Sequence, residues 1–109
     1  MSNYSPRPVT GLASPIEVLP AIAEAVGGRI PILMDGSVRL GSDVLKALAL
    51  GAKAVLLGRP PLWGLAAYGE PGVQSVIELI QSSFARDMAM CGKVTLKDLD
   101  RNVVAIHRR

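Results

Sequence analysis

A single cysteine in 109 residues leaves Cys91 without a partner for an internal disulfide and offers no metal-ligand spacing. No apolar run approaches the roughly 20 residues of a membrane-spanning helix. No signal-peptide pattern opens the chain. A membrane partner is therefore not expected, and a cytoplasmic location is. Charge is also scarce. The net value is +3, its most obvious concentration is the terminal His107-Arg108-Arg109, and no basic run is interleaved with aromatics, so nucleic acid is not an expected partner. Half of the residues are hydrophobic, enough for one α/β unit with a modest core and far from the composition of a disordered tail.

The chain is organised around Asp35-Gly36-Ser37-Val38-Arg39-Leu40-Gly41 and Leu56-Leu57-Gly58-Arg59-Pro60. Two apolar runs, Ile30 to Met34 and Ala54 to Leu57, each lead into a glycine beside a charged residue, and both lack the alternation of a half-exposed strand. They are expected to be parallel strands covered on both faces. The segment between them reads as a helix, with Gly41-Ser42-Asp43 as its cap, Val44, Leu45 and Leu48 as its stripe, and Gly51 as its end. Right-handed crossover geometry then brings both glycine loops to one carboxyl edge of the sheet. There, backbone amides, a helix N-terminus and the Arg39 and Arg59 forks suit a phosphate. Taken alone, the same residues also serve as the turns of an ordinary αβ unit.

Before this region, Met1 to Gly11 is polar, broken by two prolines, and reads as loop. Ser14-Pro15-Ile16-Glu17 is a capping-box helix start, followed by a stripe of Ile16, Leu19, Ile22, Ala23 and Val26 and a Gly27-Gly28 stop. Pro20 predicts a kink or a second start. After the second strand, Pro60-Pro61 opens a short helical piece in which Trp63 is assigned to packing. From Gly72, residues Val73, Val76, Ile77, Ile80, Phe84 and Met88 form a stripe of 3.6-residue period that Gly92 terminates. Cys91 is expected to be a buried or capping thiol, and Thr95 to Leu99 one more capped turn. Two parallel strands with three main helices leave bare sheet edges, so the pattern reads as a piece of a larger fold.

Asp35 to Ala52, Leu57 to Ala66 and Gly69-Glu70-Pro71-Gly72-Val73 together resemble the carboxyl-terminal third of the FMN-dependent 2-hydroxy-acid oxidases and dehydrogenases, the glycolate oxidase and lactate oxidase group. The resemblance runs from Ser2 to about Asp100 and includes loop residues that packing alone does not dictate. It implies a carboxyl-terminal fragment of a TIM (β/α)8 barrel, from the end of strand six through helix eight, with residues 1–109 as a partial FMN-binding domain incomplete on its amino-terminal side. Such barrels place phosphate sites at the loops after strands seven and eight. Carried over by position, Asp35 meets a ribityl hydroxyl of FMN. Gly36, Ser37, Val38, Arg39, Gly58 and Arg59 hold its phosphate, and Arg7 binds the carboxylate of a small 2-hydroxy acid. A second glycine is usual in the family where this chain has Ser37.

The opening loop departs further. Tyr4 occupies the position of the family's catalytic His, Ser5 that of a Gly and Thr10 that of an Asp. A phenol with a pKa of about 10 is a poor base at neutral pH beside an imidazole near 6.5. No intact catalytic residue is therefore expected. Met1 stands where strand six would be ending, which reads as a fragment or a partial gene. Two functions follow: an oxidase fragment carrying the FMN-phosphate cradle but inactive alone, or a non-catalytic phosphate-binding or self-associating structural module derived from that barrel. In either, association with a second copy or with the absent part of the barrel is expected. The inosine-monophosphate dehydrogenase group shares a glycine-rich loop and a following helix, but Trp63-Gly64-Leu65-Ala66 argues against it.

Overall fold

A computed structural model describes residues 1–3 and 13–105. Helix α1 (Pro15–Val26) leads to strand β1 (Leu33–Met34), helix α2 (Gly41–Ala49) and strand β2 (Ala54–Val55). Helices α3 (Arg59–Tyr68) and α4 (Glu70–Met90) follow, then two 3-10 turns at Leu96–Asp98 and Arg101–Val103.

Helix α1 starts where its cap predicts. The Glu17 carboxylate accepts from the Ser14 amide at 3.1 Å, and Gly27, at φ 57°, ends the helix. The second start expected at Pro20 does not occur, because a single helix runs through it. Leu19, fully buried in the core, ties this turn to the rest of the molecule, and that burial offsets the bond Pro20 cannot make.

The two strands are parallel, with Leu33 opposite Ala54 and Met34 opposite Val55. Amides of Lys53 and Leu56 extend the pairing to the carbonyls of Ile32 and Met34, at 2.7 and 2.9 Å. Both strands are shorter than the apolar runs that encode them, and burial on both faces is a sequence expectation the structure corrects. Met34 packs with Leu19, Val38, Ala47, Leu50 and Ala52, whereas Ile30 is 64% exposed, Leu33 44% and Leu56 53%. Successive residues of a strand point to opposite faces, so covering Met34 does nothing for Leu33. On the edge of β1 away from β2, the Met1 amine donates to the Leu33 carbonyl at 2.6 Å and the Asp35 amide donates to the Met1 carbonyl at 3.1 Å. Met1 therefore lies along the outer edge of β1, while residues 1–3 form no strand of their own, as the sequence reading of this stretch as loop expects.

Helix α2 is wedged between this core and α4. Ala47 is fully buried on the core side, and Gly41 lies so close to the Ser83–Phe84 backbone that a Cβ would have no room. The sequence expects three main helices; the described residues form four, because the piece after Gly58 extends over ten residues and α4 begins at Glu70 rather than Gly72. Gly69, at φ 66°, makes the corner between α3 and α4, a conformation that costs glycine little, and its carbonyl accepts from the Gly72 and Val73 amides. On α4 the expected stripe is turned inward only in part. Ile80 and Met88 are buried, Val73, Val76 and Phe84 are half-buried, and Ile77 is exposed.

Cys91 occupies the cap position of α4, its amide donating to the Asp87 carbonyl at 3.1 Å, and its thiol is exposed rather than buried. In the first 3-10 turn the Thr95 amide donates to the Asp98 carboxylate at 2.6 Å, and this bond holds the Asp98 carboxyl below its ordinary value. Among the described residues, no helix is long and apolar enough to cross a membrane.

Candidate functional site

Both glycine loops leave the same end of the sheet. Because Met34 pairs in parallel with Val55, the chain exits β1 into Asp35-Gly36 and β2 into Leu56-Leu57-Gly58 at neighbouring positions on one edge. A second contact ties the loops together further out: the guanidinium carbon of Arg39 lies 5.8 Å from the centroid of the Trp63 ring, one turn into α3.

The first loop is built for close approach. Gly36 has φ 102°, and a Cβ there would press on Asn3 Oδ1 and Pro15 Cγ, each 2.9 Å away, so only glycine fits. Ser37 follows at φ 59°, in the left-handed region where a side chain costs about 1–2 kcal/mol. Val38 then turns into the core. Among the described residues, no hydrogen bond engages the amides of Gly36, Ser37 or Val38. The next two amides are used: Arg39 and Leu40 both donate to Asp43 Oδ2 at 3.0 Å. The sequence leaves the capping atom among Gly41, Ser42 and Asp43, and the structure assigns it to the carboxylate at the third helical position, reaching back. Helix α2 thus has its N-terminus neutralised internally, and only the loop before it is open to an external anion.

At the second loop the opposite holds. Helix α3 has prolines at positions 60 and 61, so two of its first-turn donors do not exist, and the amides of Gly58 and Arg59 remain. A Cβ built on Gly58 meets nothing within 4 Å. Prolines there sharpen the site, since they confine the available donors to the two residues facing the first loop's edge.

Asp35 supplies a polar atom that the described residues do not use. Its Oδ1 is buried and has no hydrogen-bond partner among the described residues, a condition that costs about 1–3 kcal/mol unless a further donor completes it. Arg39 and Arg59 are both exposed. Among the described residues the ion pair present is Lys93 with Asp100, at 3.5 Å, so neither arginine is neutralised by a carboxylate in contact.

The structure therefore brings Asp35, Gly36, Ser37, Val38 and Arg39 to the edge shared by Gly58 and Arg59. Tyr4 and Arg7 lie outside the described residues. Two contributors were not assigned a site role from sequence. Asp43 was legible only as part of a cap. Trp63 was assigned to packing, yet it is 52% exposed beneath Arg39. Its spacing of four from Arg59 places both on one helix face and was the available signal. Two surface grooves, of about 530 Å³ beside Leu65 and Val73 and about 470 Å³ beside Val26 and Ile32, contain none of these residues.

Comparison with known proteins identifies the chain's family. The sequence profile of FMN-dependent dehydrogenases matches residues 1–106. The chain belongs to that family. It is 50% identical over 104 residues to human 2-hydroxyacid oxidase 1, an alignment covering 95% of this chain and 28% of the relative. L-lactate oxidase of Nostoc is 46% identical over 100 residues, covering 92% of this chain and 27% of the relative. Among solved structures, a mandelate oxidase variant with a monooxide FMN adduct superposes with a TM-score of 0.85 at 43% identity, over 92% of this chain and 32% of that one. The chain thus spans less than a third of the length of the relatives it matches. Its two parallel strands and their helices are a partial α/β unit of these larger flavoproteins, and FMN is the family's cofactor. The inosine-monophosphate dehydrogenase alternative is set aside by the match.

The family's second glycine also acquires a physical reason. A left-handed φ of 59° at Ser37 is where glycine is at ease and serine is strained. Ser37→Gly is expected to raise stability by about 0.5–1 kcal/mol, the strain relieved exceeding the extra chain entropy of glycine. Urea denaturation compares the two proteins, and a fall in midpoint would show that the Ser37 side chain contributes more than its backbone costs.

Proposed function

We propose that this chain carries the FMN-phosphate cradle of an FMN-dependent 2-hydroxy-acid oxidase and is inactive by itself. The observation that carries the reading is the parallel register of β1 and β2, which sets the Gly36 and Gly58 loops side by side. In the whole-barrel frame, residues 1–109 correspond to the end of strand six through helix eight of a TIM barrel. Met1 on the outer edge of β1 supports that frame, standing where a sixth strand would end beside a seventh.

The roles divide by chemistry. Asp35, whose Oδ1 has no partner among the described residues, accepts from a ribityl hydroxyl of FMN. The amides of Gly36, Ser37, Val38, Gly58 and Arg59 converge on the phosphate, and the guanidinium groups of Arg39 and Arg59 neutralise it through charge-assisted bonds. When bound, FMN supplies the acceptor for the hydride that leaves a 2-hydroxy acid as it becomes a 2-oxo acid. Arg7 binds the substrate carboxylate. The proton of the 2-hydroxyl has no competent acceptor, because Tyr4 stands at the base position and the chain's one imidazole, His107, is in the carboxyl-terminal tail. Exposed Leu33, Leu56 and the open edge of β2 support association with a second copy or with the absent part of the barrel.

Calorimetric titration with FMN and with riboflavin tests the reading. Reversible, phosphate-dependent FMN binding without oxidation of glycolate or lactate is the expected result. Equal affinity for riboflavin would remove the cradle, and turnover with stoichiometric, tightly held FMN would remove the inactivity. The second reading, a non-catalytic phosphate-binding module, is favoured by the same Tyr4 and differs in predicting that inorganic phosphate binds as well as FMN.

A further inference from the structure

We propose that Trp63 is a positioning residue for the phosphate site: its ring holds the Arg39 guanidinium over the start of α3 and so sets the preference for phosphorylated over unphosphorylated flavin. The inference rests on the cradle reading and adds to it a residue that touches no ligand.

Several observations converge on this contact. The guanidinium carbon of Arg39 is 5.8 Å from the Trp63 ring centroid, within the range of a cation–π interaction. The ring is 52% exposed, so the described residues leave its contact with Arg39 open to a ligand. Arg39 has no carboxylate partner among the described residues, and the Trp63 ring is the contact that fixes its charged end. Its backbone end is fixed independently, the Arg39 amide donating to Asp43 Oδ2 at 3.0 Å. With both ends held, the side chain spans from the loop after β1 to the first turn of α3, where the Gly58 and Arg59 amides are exposed.

The physical effect is preorganisation. An exposed arginine loses much rotamer freedom on binding an oxyanion, and a ring that already confines the guanidinium removes part of that loss before the ligand arrives. A guanidinium held through its charge above a ring keeps its N–H donors available for two phosphate oxygens. The contact therefore acts only on ligands that carry a phosphate.

A double-mutant cycle on the full chain tests the proposal, with FMN, riboflavin and inorganic phosphate as probes. Trp63→Leu is expected to weaken FMN about two- to fivefold, the fold-change that corresponds to a cation–π contact at an exposed site. Trp63→Phe restores most of the loss, and riboflavin binding does not change. In an Arg39→Met background, Trp63→Leu has no further effect on FMN. As the sole tryptophan, Trp63 also reports directly: inorganic phosphate shifts its emission in the parent protein but not in Arg39→Met. If Trp63→Leu weakens FMN equally with and without Arg39, or weakens riboflavin to the same degree, the ring acts by packing and the proposal is wrong while the cradle stands. If Arg39→Met leaves FMN affinity unchanged, or FMN does not bind the parent chain, the cradle itself fails and the positioning role falls with it.

Discussion

Gly72→Val is expected to unfold or nearly unfold the protein, because α3 and α4 meet backbone to backbone at Gly64 and Gly72. A Cβ on either glycine would overlap the other's carbonyl group, and the Val76 and Tyr68 side chains close the remaining space. Overpacking ordinarily costs about 1–3 kcal/mol when side chains can give way. Here the obstruction is main chain on both sides, so the two helices must separate, and burial along the whole contact is lost with them. Against a total stability of about 5–15 kcal/mol for a domain of this size, that loss is decisive. Thermal unfolding followed by circular dichroism measures it. Gly58→Ala is the matched comparison, since a Cβ there meets nothing within 4 Å, and its melting temperature is expected to stay close to the parent's. A Gly72→Val protein that melts with the parent would show that α3 and α4 are not packed at this distance.

Removing both guanidinium groups, as Arg39→Met with Arg59→Met, is expected to lower FMN affinity at least 100-fold, beyond the reach of ordinary titration. Each charge-assisted hydrogen bond contributes about 1.5–3 kcal/mol, and two lost together exceed the 2.8 kcal/mol or so that a hundredfold change represents. Both side chains are exposed, so stability changes little and the loss is one of recognition. Riboflavin provides the internal control, having the ring and ribityl chain but no phosphate, and its affinity should not change. Rising ionic strength should weaken FMN binding by the parent chain and have little effect on what remains in the double variant. If the double variant holds FMN as the parent does, the phosphate is not bound at this edge.

Much of the candidate site is legible in the sequence alone. Asp35-Gly36 and Gly58-Arg59 are residues whose chemistry is local: a positive φ, a missing Cβ and a helix start are properties of short stretches, and a few neighbouring residues suffice to specify them. Glu17 reaching back to Ser14, and Gly27 and Gly92 beside helix ends, are legible for the same reason. Strand burial was not. Ile30, Leu33 and Leu56 are apolar because a sheet was meant to be covered, but whether cover is present depends on chain far away in sequence, and here these residues face outward. The contact of Trp63 with Arg39 was not legible either, since a large apolar ring reads as packing and the cation above it comes from another loop.

By itself, then, the sequence determined the family, the order of the strands and helices around the sheet, and the two glycine turns, all of which are recorded residue by residue. Only the tertiary structure decided that the two turns share one edge and that Arg39 comes to rest on Trp63. These relations join residues two dozen positions apart. They depend on how strands pair and helices pack, and no local run of amino acids encodes a distance across the fold.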